Sequence, residues 1–355
     1  MKERHLIEVL KETILTRREF LKLLFLLLGG TMFFNKEVLN FLEWLNYFIY
    51  KSAKNVIKKE NLQFEELGIN SPFIYLRSEK EWEEYVDILK KLKEMFKIER
   101  FRIRLFISDD FEKGLGEYNQ EILEKILNFY NFLKQKNIDF VLEIDLIDCY
   151  SIGNSLKPNL VYGTNPPTSS YNPTKDLEGY RQFFINDELK ERFISRAKAI
   201  LSFLKQHFED KELIISIANE PEPPVENLEK KRRILNEWYQ FVLNNIKGIL
   251  SDKWKLVAGV KNPDFLSPDI YNQGITPTLH LYPFEFSPST LESWLKKYPN
   301  IYIQELGVPY RIFNLHNPLE RQIAEALIEA VKGNPISLWK LDFYEDGFRI
   351  PFIEN

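Results

Sequence analysis

From residue 67 onward, short apolar runs rich in Ile, Leu, Val and Phe alternate with longer stretches whose apolar positions recur at i, i+3, i+4 and i+7. The first pattern reads as buried strands and the second as amphipathic helices. Strands are predicted at Gly68–Tyr75, Arg100–Ser108, Ile138–Ile147, Leu213–Ala218, Lys255–Val260, Pro277–Tyr282, Ile301–Gln304 and Ile336–Leu341. Helices are predicted at Glu79–Phe96, Gln120–Lys136, Asp187–Phe208, Val225–Leu250, Ser289–Lys297 and Pro318–Val331. Eight strands alternating with helices imply an α/β protein, a closed parallel (β/α)8 TIM barrel. One connection breaks the rhythm. Asp148–Phe183 is rich in Pro, Asn, Ser, Thr and Tyr, has no periodicity, and would leave the carboxyl end of the third strand, where barrels carry their active sites.

The tail after the eighth strand is too short for a full eighth helix. Upstream of the barrel, Val38, Phe41, Leu42, Leu45, Phe48 and Ile49 have helical spacing within Lys36–Lys59. Packed on the barrel, this helix would cover strands one and eight. Lying in a membrane interface, it would set Trp44 and Tyr47 at headgroup depth. The missing eighth helix favours packing. The expected organisation is a leader or anchor at 1–35, the amphipathic helix at 36–62 and the barrel at 63–355.

The 355 residues are 44% hydrophobic, enough for one large core. A net charge of −4 without a basic face argues against nucleic acid. One cysteine, Cys149, excludes an internal disulfide and a cysteine-based zinc site. Aromatic residues are 14% of the chain; most must be core, and an excess of exposed Tyr and Trp would suit stacking on sugar rings. The abundance of Lys, Glu and Ile fits heat adaptation and an AT-rich genome equally well. No phosphate-binding Gly-rich loop, metal-ligand His cluster or nucleophile elbow is visible, so no metal or organic cofactor is expected.

The candidate chemistry lies on two strands. Leu213–Pro221 (LIISIANEP) and Asn300–Gly307 (NIYIQELG) are apolar runs that end in Glu220 and Glu305. A carboxylate at the last position of a barrel strand emerges from the core at the active end. Two of them there suit hydrolysis of a glycosidic bond. On the sixth strand, His280 and Tyr282 stand two apart and share a face. On the second strand, Arg102 and Arg104 also share a face, and an arginine inside a barrel needs a carboxylate partner. Arg104 is preferred because it lies nearer the carboxyl end.

These motifs, in this order from Gly68 to Trp339, resemble the retaining β-glycosidases of clan A, and glycoside hydrolase family 5 in particular, the cellulase and mannanase type. The resemblance implies that Glu220 in Asn219-Glu220-Pro221 is the general acid/base and that Asn219 bonds the sugar 2-hydroxyl. It implies that Glu305 is the nucleophile, that Tyr282 and Arg104 hold it, and that His280 bonds substrate or the acid/base region. Trp339 would stack under the sugar. Many family members carry a histidine at the end of strand three. Here Asp145 and Asp148 follow Glu143 instead, and either one binds substrate hydroxyls or they mark an unusual subfamily. Tyr150, Tyr162, Tyr171 and Tyr180 are candidate platform residues in the long loop.

Thr16–Lys22 (TRREFLK) resembles the twin-arginine export signal and directly precedes the apolar run Leu23–Phe34. That run has the length of a signal h-region and is too short to span a bilayer comfortably. No clear cleavage site follows, so a retained membrane tether is one outcome. The resemblance implies the twin-arginine export machinery as a partner, and a periplasmic, extracellular or outward-facing anchored location. The expected function is exported, retaining hydrolysis of a β-linked polysaccharide or oligosaccharide. The alternative is a catalytically silent barrel that binds cell-surface carbohydrate, although a binder needs neither Glu220 nor Glu305.

Overall fold

The structure, a computed structural model, describes residues 64–149, 176–307 and 333–338 other than 115, 283 and 284. It also describes residues 43, 152, 171, 172, 174, 327, 328, 330 and 331 and the two-residue strands Phe343–Tyr344 and Gly347–Phe348. The leader at 1–35, all but one residue of the helix expected at 36–59, and Tyr150, Tyr162 and Trp339 lie outside these residues.

Eight parallel strands form the barrel: β1 (Glu66–Asn70), β2 (Arg100–Phe106), β3 (Phe140–Asp145), β4 (Leu213–Ser216), β5 (Trp254–Val257), β6 (Ile275–Thr276 and Thr278–Leu281), β7 (Tyr302–Leu306) and β8 (Ile336–Leu338). Pairing runs without interruption from β1 to β5 and from β7 through β8 back to β1. The sixth strand, expected as one piece, is split at Pro277. Its first piece pairs with β5 and its second with β7, and this closes the barrel. Proline has no N–H for a ladder. Its carbonyl still serves, accepting from Tyr302 N at 2.9 Å.

The outer layer comprises α1 (Glu79–Phe96), α2 (Gln120–Gln135), α3 (Leu177–Ile185), α4 (Asp187–Phe208), α5 (Leu228–Ile246), α6 (Pro268–Tyr271) and α7 (Pro288–Lys297). Most starts are written in the sequence as side-chain caps. Ser78 and Glu81 form a reciprocal capping box, and Asp176, Asn186, Asn227 and Ser287 each accept a backbone N–H of the following turn. The apolar stripes of α4 and α5 then meet the strands. Trp238 packs among Phe183, Phe184 and Phe193 in the same layer. Among the described residues, no helix is long and apolar enough to cross a membrane.

The barrel interior is layered. Val141, Ile214, Val257 and Tyr302 form an apolar cluster inside it. Two residues further along three of these strands come Glu143, Ser216 and Gln304, all fully buried and polar. Since i and i+2 share a strand face, the interior changes from apolar to polar toward the carboxyl ends.

Glycine is required at one position that shapes this polar end. Gly259, just past β5, has φ +81°, and a Cβ built on it would lie 1.7 Å from the Ala218 carbonyl oxygen. Its own carbonyl accepts from Glu220 N at 3.0 Å. Gly259→Ala should therefore cost more than ~1 kcal/mol of stability and move the Glu220 backbone. Denaturant unfolding with an unchanged midpoint would contradict this.

Candidate active site

Arg104 is the hub of the polar end. It is fully buried, and its guanidinium touches residues on β1, β3 and β7 and the turn after β4. Nε and Nη2 donate to both oxygens of Asp145 at 2.7 and 3.0 Å, a bidentate pair. Nη1 donates to Glu305 Oε1 at 2.7 Å and to Asn70 Oδ1 at 3.1 Å. Nη2 also donates to Asn219 Oδ1 at 2.9 Å. Glu143 Oε1 lies 3.4 Å from Nε. Arg102, which shares this strand face, turns toward the amino ends instead. It pairs with Glu66 at 2.6 Å and donates to the Ile336 carbonyl.

Glu305 is 1% exposed and accepts from Arg104 on one oxygen and from the Tyr282 hydroxyl on the other. Consecutive strand residues normally face opposite sides, yet Gln304 and Glu305 both bond groups inside the barrel. A bulge allows this. Ile303 pairs with Leu279 while Glu305 pairs with His280, so two residues of β7 oppose one step of β6.

Glu220 ends the β4 run with φ +46°, a left-handed conformation that a residue with a side chain seldom adopts. Its amide is held by Gly259, and its Oε1 lies 2.8 Å from His280 Nδ1. His280 is fully buried, with Nε2 3.1 Å from Gln304 Oε1 and Nδ1 3.4 Å from Glu305 Oε2. A carboxylate oxygen of Glu220, one of Glu305 and a ring nitrogen of His280 all lie within 4.8 Å of one another. Asn219 is fixed at both ends of its amide, accepting from Arg104 and donating to Asp148 Oδ1 at 2.9 Å.

The structure thus brings together Arg104, Asp148, Asn219, Glu220, His280, Tyr282 and Glu305. Trp339 lies outside the described residues. Asp145, a candidate for substrate hydroxyls, is taken up by Arg104. Tyr171 and Tyr180 are not platforms: both are buried, and Tyr171 donates to Glu112 at 2.7 Å. Two residues passed over in the sequence complete the network. Glu143 accepts from Tyr302 and from Gln304 Nε2, and Gln304 in turn faces His280. Glu143 carried a signal, an acid alternating with Asp145 in an otherwise apolar strand run, whereas its pairing beside Arg104 shows only in the register.

The charges follow from this packing. Burial pushes Glu305 up from the usual carboxylate range, with His280 and Arg104 opposing, and burial likewise raises Glu143. Burial also acts on Glu220, but the His280 hydrogen bond and the Lys261 charge outweigh it and hold that carboxyl down to about 2. His280 is raised in return, Glu305 and Glu220 overcoming its desolvation. Burial raises Tyr282, which therefore keeps its proton and donates it to Glu305. Glu220, His280 and Glu305 are the one described group able to offer three ligand atoms to a cation. The Arg104 guanidinium already supplies the positive charge against Glu305.

Removing that guanidinium strands buried carboxylates. Arg104→Met should cost about 3–5 kcal/mol. A carboxyl whose pKa is raised in the folded protein loses stability as pH climbs through the folded value. Glu143 and Glu305 are of this kind, and without Arg104 they rise further. The deficit should therefore be larger at pH 8 than at pH 5 in paired urea titrations. An equal deficit at both would be the wrong outcome.

No protein-family model matches the chain, and no curated protein sequence matches it. Solved structures do. The endo-glycoceramidase II of Rhodococcus sp., in complex with a cellobiose-like imidazole, has a TM-score of 0.56 at 16% identity over 79% of this chain and 75% of that one. A Bacteroidetes-affiliated GH5 cellulase linked with a polysaccharide utilization locus has 0.53 at 13%, over 77% and 82%. Thermotoga maritima Cel5A, solved with cellobiose, has 0.50 at 19%, over 80% and 91%. At such identities it is the fold that is shared, and this chain has the same (β/α)8 barrel as these three structures.

Proposed function

We propose that the protein is a retaining β-glycosidase that hydrolyses O-glycosidic bonds in a β-linked polysaccharide or oligosaccharide. The observation that carries this is the meeting of Glu220 and Glu305, with carboxylate oxygens within 4.8 Å, at the carboxyl end of the barrel. Retaining enzymes hold their two carboxyls ~5–5.5 Å apart, and inverting ones leave room for a water at ~6.5–9.5 Å.

The two carboxyls have different surroundings, as two roles require. Glu305 is oriented by a cation and a neutral hydroxyl, which leave it an acceptor able to attack the anomeric carbon. Glu220 shares a hydrogen bond with a histidine, a source of the proton that the leaving oxygen needs. In the first step the glycosidic C–O bond breaks, Glu305 bonds to the sugar, and Glu220 gives a proton to the leaving group. In the second, water attacks the same carbon, Glu220 takes its proton, and Glu305 is released. Asn219 Nδ2 has a second hydrogen, free of Asp148, for the sugar 2-hydroxyl. Trp339 is the proposed platform beneath the sugar.

The neighbours named above include an endo-glycoceramidase, a cellulase and an enzyme solved with cellobiose, which supports a β-linked glycan substrate. A silent carbohydrate-binding barrel would have no use for a buried carboxylate clamped by Arg104 and Tyr282. The TRREFLK segment supports export through the twin-arginine machinery, with the leader cleaved or kept as a tether.

Glu305→Ala should abolish hydrolysis of an aryl β-glycoside, and added azide should restore turnover as a glycosyl azide of inverted configuration. Failure of azide to give that product would remove Glu305 as nucleophile. Glu220→Ala should slow substrates with poor leaving groups by ~10²–10⁴-fold and activated aryl glycosides far less in their first step. Equal losses on both would remove the acid role.

A further inference from the structure

Gln304 and Glu143 take no part in the steps above, yet both are completely buried beside the two carboxyls that do. Glu143 Oε1 accepts from Gln304 Nε2 at 2.5 Å and faces Arg104 Nε at 3.4 Å, while Oε2 bonds the Tyr302 hydroxyl. A carboxylate oxygen set 3.4 Å from the guanidinium charge accepts from an amide nitrogen and repels an amide oxygen. The Gln304 amide is therefore held with its nitrogen toward Glu143 and its oxygen toward His280. That oxygen lies 3.1 Å from His280 Nε2 and can only accept. Nε2 must then carry hydrogen, which leaves Nδ1 to face Glu220 Oε1 at 2.8 Å. The reverse amide orientation would set oxygen against Glu143 Oε1.

We propose that Glu143 and Gln304 are positioning residues that fix hydrogen on His280 Nε2, so that His280 Nδ1 and Glu220 jointly hold the one proton delivered to the leaving oxygen. This rests on the acid role given to Glu220. The other neutral tautomer would place the ring hydrogen on Nδ1, bonded to an ionised Glu220, and the pair would hold no proton for the substrate beyond the ring's own. With Nε2 protonated, the proton between Nδ1 and Oε1 is available from either atom.

The charge balance is simple. Before the first step Glu305 is anionic and the His280–Glu220 pair is neutral overall. The glycosidic bond breaks, the Glu305 ester forms, and the shared proton goes to the leaving oxygen. Glu305 is then neutral, and the pair carries one negative charge as neutral His280 and ionised Glu220. In the second step water bonds to the sugar, the ester breaks, and the water proton refills the pair. The buried site keeps one net charge throughout. The charged groups facing His280 are Glu220 at the end of β4, Glu305 on β7, Arg104 on β2 and, after β6, Glu285.

The test is nitrogen NMR on the full-length chain carrying ¹⁵N-labelled histidine. The chain has four histidines, and the signal lost in His280→Asn identifies this one. The expected result is hydrogen on Nε2 in the unsubstituted protein, and its transfer to Nδ1 in Gln304→Met, where no acceptor faces Nε2. Gln304→Glu, which keeps an acceptor there, should retain hydrogen on Nε2. In Gln304→Met, kcat/KM should fall by at least ~10-fold more for poor than for good leaving groups, within the range that general acid catalysis supplies. Hydrogen on Nδ1 with none on Nε2 in the unsubstituted protein overturns the proposal, as does a Gln304→Met spectrum that keeps hydrogen on Nε2. If Gln304→Met does not fold, the unsubstituted spectrum alone decides. Hydrolysis with hydrogen on Nδ1 and none on Nε2 removes the relay and spares the glycosidase reading. Hydrogen on Nε2 with no hydrolysis of any β-glycoside removes that reading.

Discussion

One guanidinium organises the carboxyl end of this barrel. Arg104 is buried with Asp145, Glu143 and Glu305 around it, and each of the three would be expensive to bury alone. It can hold them at once because its five N–H groups lie in a fixed plane. The same group fixes the oxygen of Asn219 and, through it, the turn that presents Glu220. The site is thus tied together by a charge that belongs to no reacting atom. Lysine would not substitute, since a point charge cannot meet Asp145 on both oxygens and still reach Glu305 and Asn219.

Much of this was legible from residue spacing. Apolar runs ending in Glu220 and Glu305 gave two acids at one end of a barrel, and the i, i+2 rule put His280 beside Tyr282 and favoured Arg104 by its height on the strand. These features depend on strand phase, which one sequence carries. What was not legible depends on pairing between strands. The split of the sixth strand at Pro277 shows only when its two halves are seen on different neighbours. The fate of Asp145 is settled by its register with Phe106 beside Arg104, so a candidate for sugar contact proves to be a counter-ion. Tyr171 and Tyr180 sat in an aperiodic loop and looked exposed, but an aromatic layer against α4 and α5 covers them.

The two acids differ in how their surroundings answer a change of charge. Glu305 is hydrogen-bonded to groups that do not titrate near neutral pH, a guanidinium and a buried phenol, with His280 Nδ1 further off at 3.4 Å. Glu220 is held by one that does. The contrast suits the roles proposed for them, since a nucleophile benefits from a fixed environment and an acid that must recover its proton from a neighbour able to exchange one. Gly259 extends this to the backbone, because its carbonyl secures the amide of a residue whose left-handed conformation would otherwise relax.

The irregularity in β7 bears on how such a site can diverge. Counting inward and outward positions, Tyr302 faces in, Ile303 out, Glu305 in and Leu306 out, a regular alternation once Gln304 is left out. Gln304 is the supernumerary residue. The phase of Glu305 is therefore complete without it, and the residue proposed to set the His280 tautomer stands outside the regular alternation of the ladder. With the proposed roles, a lineage can retune acidity at that extra place while the Glu305 carboxylate stays where it is.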